Sequence, residues 1–591
     1  DDHPDRAGRL SNLGNALRMR FERTGNQADL DTAVDAARAG AAVVVASPRV
    51  RAGVARGWGY AAAAGGRWQE AAEGFAAAVE LLGRVAPRGL ARGDQEHVLE
   101  DLGGLGSDAA ACCVRAGLAD RAVEMFEQGR GVLLGQALDA RTDLTALAER
   151  HPELAVRFTT LRDELDGADD RVGRPVATLT DRTAIDNHTG LVRREVERRR
   201  EAAEAFDQVI AELRALPGFA GFLRPPPVGE LAAAAVDGPV VVVNVSRFGS
   251  DALILTSSGY VEPVQLPDLT PERVYKHVVA FLSALDQRFS PADEVALAGT
   301  LGWLWDVLAG PVLDRLGIVG PPGDGQPWPR LWWCVSGLLS FLPLHAAGHH
   351  DTRLDAAPAT VIDRVISSYT PTIRALAYAR RPRPATDDDR GGRAGPGGRI
   401  VAVAMPHTPG ASDLPGAQAE ALLLRQLFPG QVSVLTGPEA THEAVLAALP
   451  GARWAHFACH GQSDLADPSA GHLVLADHQE RPLTVVDVAR LRLHGAELAF
   501  LSACETARPG RRLTDEAIHL ASAFQLAGYR HVIAILWPIG DTHAADAADH
   551  IYTTLAYTGD VAEAVHAATR RMRNRWVNAP SMWASHVHSG A

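Results

Sequence analysis

Two short apolar runs near the C-terminal end finish on residues that can do chemistry. Trp454-Ala-His-Phe-Ala-Cys-His460-Gly461 ends in a histidine and a glycine, and Leu498-Ala-Phe-Leu-Ser-Ala-Cys504-Glu-Thr506 in a reactive cysteine. Runs of this length and apolarity read as buried parallel strands, and in an open α/β sheet chemistry gathers just beyond the carboxyl ends of neighbouring strands. A thiol and an imidazole delivered there make a candidate nucleophile, Cys504, and its proton partner, His460. A free thiol titrates at roughly 8.5, so a small fraction is already thiolate at neutral pH and attack on a carbonyl needs little help. The harder step is protonating the leaving amine, the role that suits His460. The backbone amides of Gly461 and Cys504 are the candidate oxyanion donors. Gly461 lacks a Cβ and lets a carbonyl approach closely.

The neighbouring letters are equally suggestive but read differently. Cys459, Cys112, Cys113 and Cys334 fit small core residues, and His456 fits a hydrogen-bonded strand histidine. His456, Cys459 and His460 offer zinc-type ligands within five residues. On a strand, however, Cys459 points away from the two histidines, and no CxxC pair or HExxH accompanies them. No metal and no cofactor is therefore expected. Asp464 and Asp515 fall near the expected cleft, where a carboxylate would favour a basic substrate side chain. The plainer reading is a solvated loop carboxylate, or for Asp515 the first turn of a helix.

These strands need a framework. At 591 residues, two to four domains are expected, with 47% hydrophobic and 22% charged residues as in ordinary soluble chains. A net charge of −13 argues against nucleic acid as a direct partner. The absence of a long uninterrupted apolar run argues against a membrane span. Five cysteines are too few and too odd for a disulfide framework, which points to a reducing, cytoplasmic setting. The start at Asp1, inside a helical pattern, suggests a piece of a longer protein.

Residues 1–130 carry helical periodicity with a loose repeat. Leu13-Gly14 and Trp58-Gly59 are 45 residues apart, and each is followed by a glycine turn (Gly25, or Gly65-Gly66) and a helix with alanine at its close-packing point, Ala33 or Ala71. Helix pairs of this size imply an α-solenoid similar to tetratricopeptide repeats, offering a surface for a protein substrate, activator or inhibitor. Residues 131–224 read as a helical connector whose charged stretch Arg193–Glu201 is a solvated face. From about 238 strands alternate with helices, giving an α/β domain with a mostly parallel, three-layer sheet. Its first half spans 225–379 and includes a helix at 303–316 and a strand at 361–368. A Gly/Arg/Pro-rich linker takes 380–399, and a second half spans 400–591, with a helix at 515–526 and further βα units to the end.

Taken together, His456-Phe-Ala-Cys-His460-Gly461 and Leu501-Ser-Ala-Cys504-Glu-Thr506 resemble the CHAT domain, a caspase-like cysteine peptidase family related to separase. Leu342-Pro-Leu-His345, Ser368-Tyr-Thr-Pro-Thr372, Leu414-Pro-Gly-Ala-Gln-Ala-Glu420, Leu536-Trp-Pro-Ile-Gly-Asp541 and Met582-Trp-Ala-Ser585 resemble further family blocks. The resemblance covers roughly 225–591. It implies that His460 and Cys504 form a catalytic dyad and that the first half is a less regular, pseudo-catalytic partner of the second. It further implies that the whole is a bacterial-type endopeptidase acting on a protein substrate. Two stretches depart from the family pattern: Arg508–Thr514, which the resemblance implies is the loop that shapes the substrate pocket, and Ser585-His-Val-His588, more polar than the usual last strand. The alternative is a non-catalytic, repeat-based scaffold with a degenerate caspase-like domain.

Overall fold

The computed structural model describes residues 3–141, 144–171, 182–286, 290–382, 398–464, 467–503, 506–507, 515–516 and 518–591. They form two units, Asp1–Gly117 with Glu124–Pro227, and Val228–Ala591 with Leu118–Val123.

The first unit is helical. Asp5–Thr24 packs on Gln27–Ala41 and Pro48–Ala64 on Trp68–Val79. Asn26 and Ser47 cap the second and third of these helices, accepting from the Ala28 and Val50 amides, and Pro48 occupies the first turn, where its missing N–H costs nothing. Small residues set the crossings: a Cβ on Gly74 would lie 2.6 Å from the Gly59 nitrogen, so these two backbones touch directly. Ala33 and Ala71 are fully buried, as the repeat predicts. Farther on, Pro152–Arg171 and Arg182–Arg214 pair around Phe158, Phe206, Val209 and Leu213. Arg198 reaches Glu164 at 2.6 Å and Arg200 reaches Glu204 at 3.0 Å, so the mixed-charge stretch is laced with ion pairs.

The second unit is built on an eleven-stranded sheet. In chain order its strands are β1 (Val240–Asn244), β2 (Asp251–Leu255), β3 (Val261–Gln265), β4 (Arg330–Val335), β5 (Ile366–Tyr369), β6 (Ile400–Ala404), β7 (Val432–Thr436) and β8 (Trp454–Ala458). After these come β9 (His460–Gln462), β10 (His472–Val474) and β11 (Leu483–Thr484), which form a separate small sheet. The large sheet then resumes with β12 (Leu498–Ser502), β13 (His531–Ile535) and β14 (His586–Gly590). Its order is β3-β2-β1-β4-β5-β14-β13-β12-β8-β6-β7. Pairing is parallel from β1 through β4 and β5 to β14, and again from β13 through β12, β8 and β6 to β7. The two runs oppose each other at the antiparallel β13–β14 pair. Their carboxyl ends therefore open on opposite edges of one sheet.

Both faces are covered, which makes the fold three-layered. In the second half Trp454, Phe500, Leu424, Phe428 and Tyr552 pack together between the strands and the helices Pro415–Leu427 and Asp541–Thr558. On the opposite face Phe457 meets Phe524 of the helix Leu520–Ala527. In the first half Trp333 faces the helices Pro271–Asp286 and Pro291–Leu304, while its neighbour Trp332 stacks under Arg380. The segment Pro291–Arg315 is the one described helix long and apolar enough to cross a membrane, and Leu297, Leu301, Leu304 and Leu308 bury it in this core.

The helical region followed by a mostly parallel, two-sided sheet agrees with the fold class expected from the sequence. Four elements differ. The helix expected from Trp303 begins earlier, at Pro291, and runs through one wide turn, Trp305–Ala309, into Gly310–Arg315. The strand expected over 361–368 is confined to Ile366–Tyr369, because Asp363 turns inward to meet Arg573. The helix expected from Asp515 starts at Leu520, capped by the His519 ring accepting from the Ser522 amide. The polar run at 586–590 is a fully buried strand in mid-sheet. Most of the expected 380–399 linker lies outside the described residues.

Candidate active site

β8 and β12 are neighbours in parallel register, Leu498 opposite Trp454 through Ser502 opposite Ala458. Alternation along β8 sends Trp454 and His456 to one helical layer and Phe457 to the other. Ala458 and Ser502, the last residues of the two strands, therefore stand side by side. His460 follows Ala458 by two residues and Cys504 follows Ser502 by two.

At Cys459 the chain bends out of the large sheet, and His460 opens β9, paired antiparallel with β10 opposite Val474. The His460 ring is half-buried. Its Nε2 donates to the Ser412 carbonyl at 2.7 Å, with the Ser412 hydroxyl at 3.5 Å. A carbonyl only accepts, so Nε2 carries the proton and the neutral ring keeps its lone pair on Nδ1. Ser412 lies in the loop between β6 and the helix Pro415–Leu427. That loop is closed by the Leu414 amide donating to the Pro406 carbonyl at 2.9 Å and by His407 against Asp413 at 2.9 Å. Gly416 lets the helix start sit on Asp541: its amide donates to that carboxylate at 2.6 Å, and a Cβ there would collide with it.

Cys504 and Glu505 lie outside the described residues, but the chain on either side of them is pinned. Ser502, before them, donates to Glu420 Oε1 at 3.2 Å. Thr506, after them, is fully buried. It accepts from the Ile535 amide at 3.1 Å on its hydroxyl and from the Ala521 amide at 3.0 Å on its carbonyl. Glu420 also faces His456, its Oε2 3.0 Å from Nε2 at ion-pair distance without hydrogen-bond alignment, and His456 Nδ1 meets the Tyr552 hydroxyl at 3.0 Å. Burial, aided by the Glu420 charge, pushes the Tyr552 phenol well up. One buried carboxylate thus touches both strands that lead to His460 and Cys504.

Gly461 sits in β9 opposite Leu473. Asp464 is an exposed loop residue whose Oδ1 accepts from the Asp467 amide at 2.9 Å. Asp515 is half-buried in a turn, and residues 508–514 are outside the described residues. Cys459, Cys112, Cys113 and Cys334 are buried, and His456 is 1% exposed. The sequence reading missed three participants. Ser412 acts through a backbone carbonyl, which no side-chain letter announces. Glu420 and Tyr552 carried a signal: polar residues on helix faces otherwise buried, alongside Ala421 and Leu424 in one case and Ala548, Ile551 and Leu555 in the other.

No curated protein sequence matches this chain. Among solved structures, separase in the Saccharomyces cerevisiae separase–securin complex matches with 9% identity and a TM-score of 0.42, covering 99% of this chain and 52% of that one. The chain therefore spans about half the length of the separase it matches. The Arg-specific cysteine proteinase gingipain R of Porphyromonas gingivalis matches with 13% identity and a TM-score of 0.32, covering 48% of this chain and 68% of that one. The CHAT domain family matches residues 299–591. From β4 to β14, including both strands that lead to His460 and Cys504, the chain matches the CHAT domain family.

Proposed function

We propose that this CHAT domain is a caspase-like cysteine endopeptidase with Cys504 as nucleophile and His460 as its acid–base partner. The observation that carries this reading is the register of β8 and β12: paired end residues, each followed two positions later by one member of the dyad. The Ser412 carbonyl supports it by leaving Nδ1 of His460 as the basic nitrogen. In the cycle, the Cys504 sulfur bonds to the substrate carbonyl carbon as its proton passes to His460. The amides of Gly461 and Cys504 hold the oxyanion. The C–N bond then breaks with the His460 proton delivered to the amine, and water, deprotonated by His460, releases the acid and restores the thiol. Asp464 and Asp515 are the candidates for selecting a basic side chain, and the helical repeats for binding the protein substrate or a regulator in the cytoplasm. A thiol-directed acyl electrophile should label the wild type at Cys504, label His460→Ala slowly and leave Cys504→Ala unlabelled. A search for new protein N-termini should find cuts made by the wild type and not by Cys504→Ala. Identical cuts from both would end the assignment, and no labelling with any partner present would favour the scaffold reading.

A further inference from the structure

Away from the dyad, beside the strand that joins the two halves of the sheet, lies a cavity of about 20 Å³. Four histidines line it; His588 already has Ser368 and His531 as partners, and the other three come from separate elements: His345 in the short turn Leu344–Ala346, His566 in the helix Val561–Arg575, and His586 in β14. Tyr369, Ile362 and Val365 complete much of the wall. The three rings are 8%, 9% and 2% exposed, and Nε2 of each is buried without a hydrogen-bond partner. Buried polar atoms are rarely left so, because each orphan costs about 1–3 kcal/mol, and dry cavities are apolar.

The other ring nitrogens say how these orphans are poised. The Tyr369 hydroxyl accepts from the His345 amide at 3.0 Å, which leaves its own proton for His345 Nδ1, also at 3.0 Å. The proton of the His345 ring then sits on Nε2. The Ala584 backbone acts on this ring as well, favouring its protonated form against the burial. Nδ1 of His586 lies 3.2 Å from the Ser585 hydroxyl.

We propose that this cavity is a hydration site for a single water molecule, which accepts from Nε2 of His345 and donates to Nε2 of His566 and of His586. The volume suits one water, since a site needs roughly 10–15 Å³ and buried waters make about three hydrogen bonds. The alternatives fit less well. A nitrogen already carrying its proton is no metal ligand, and among the described residues no three His, Cys, Asp or Glu side chains are placed to hold a metal ion. An anion would need positive charge, but burial holds His345 and His566 down to about 3 and His586 to about 4, with Arg570 and Arg573 pushing His566 further down against Asp363. At neutral pH the rings are uncharged. The water would tie the first half, through His345, to the helix and to the strand that carries His586. That tie matters because β14 meets β5 at a single paired position, Ser589 opposite Tyr369.

The test is a high-resolution crystal structure of the full chain at neutral pH. One density peak within hydrogen-bonding distance of all three Nε2 atoms is expected, and an empty cavity would overturn the proposal. Bromide soaks and data at transition-metal absorption edges run beside it, and an anomalous peak in the cavity would overturn water in favour of an anion or a metal. His566→Gln, which keeps an acceptor, should retain the peak, and His566→Leu should lose it. Retention by His566→Leu would overturn the three-histidine assignment. Should His566→Leu fail to fold, the wild-type density and the anomalous data decide the question.

Discussion

The buried histidines make the α/β unit acid-sensitive in a window that can be worked out. His345, His350, His566 and His586 are each at least nine-tenths buried, and burial is the first cause that lowers each of them from 6.5, to about 3, about 4, about 3 and about 4. With folded values depressed, the folded chain binds fewer protons than the unfolded chain at every pH between the two values. The stability is whole above about 6.5 and is lost as pH falls toward the folded values. Lowering the pH from about 7 to about 5.5 costs roughly 1.2 kcal/mol per ring, and so about 5 kcal/mol for these four. That is a large part of the 5–15 kcal/mol, roughly, by which domains are stable. At a urea slope of about 3 kcal/mol per molar, the midpoint should fall by about 1.5 M. Asp363 does not confuse the window: Arg573 and Thr360 outweigh its burial, keep its value below the ordinary carboxylate value, and so place its titration at lower pH. Urea unfolding followed by tryptophan emission at the two pH values is the assay. Replacing His586 by Gln should remove one ring's share of the pH effect, roughly 1 kcal/mol. Midpoints agreeing to within about 0.3 M at the two pH values would refute the reasoning.

Three further outcomes are expected. Glu420→Ala leaves the Ser502 hydroxyl and His456 Nε2 without their shared carboxylate and should cost about 2–4 kcal/mol by urea unfolding, with Glu420→Gln costing less because an acceptor for Ser502 remains. Arg573→Met strands the buried Asp363, held by two bonds of 2.8 and 2.7 Å, and should cost roughly 3–5 kcal/mol, partly recovered by adding Asp363→Asn. Gly416→Ala drives a methyl into the Asp541 carboxylate, displacing the helix start beside Ser412, and should slow electrophile labelling of Cys504 several-fold while lowering the melting temperature only modestly.

The apolar runs at 240–244, 331–335, 400–404, 454–458 and 498–502 were readable as strands because each is buried on both faces, and composition alone then reveals them. The adjacency of the two strands that lead to His460 and Cys504 followed from reading both as neighbours in one parallel sheet. Other features leave no such trace. His-Val-His-Ser-Gly at 586–590 looks like a surface tail, yet its second histidine is answered inside the sheet: His588 Nδ1 lies 2.7 Å from the Ser368 hydroxyl and its Nε2 lies 3.0 Å from His531. Hydrogen-bond partners 220 and 57 residues away cannot be read from a local pattern. Asp515 read as the start of a helix because acids favour first turns, but the histidine four positions on, His519, provides the cap instead.

The central place of β14 also fixes an order of events. It is made after every other strand of the sheet and yet lies between β5 and β13. Until residues 586–590 have left the ribosome, the first half ends in an open strand edge at β5 and the second in another at β13. Both are ready to pair with the wrong partner. The sheet that holds the strands leading to His460 and Cys504 can close only afterwards, through contacts of long sequence separation, which form slowly. A nascent or truncated chain would thus expose two sticky edges and lack a closed sheet around the strands that lead to His460 and Cys504, so the proposed peptidase competence would arrive with the closing strand.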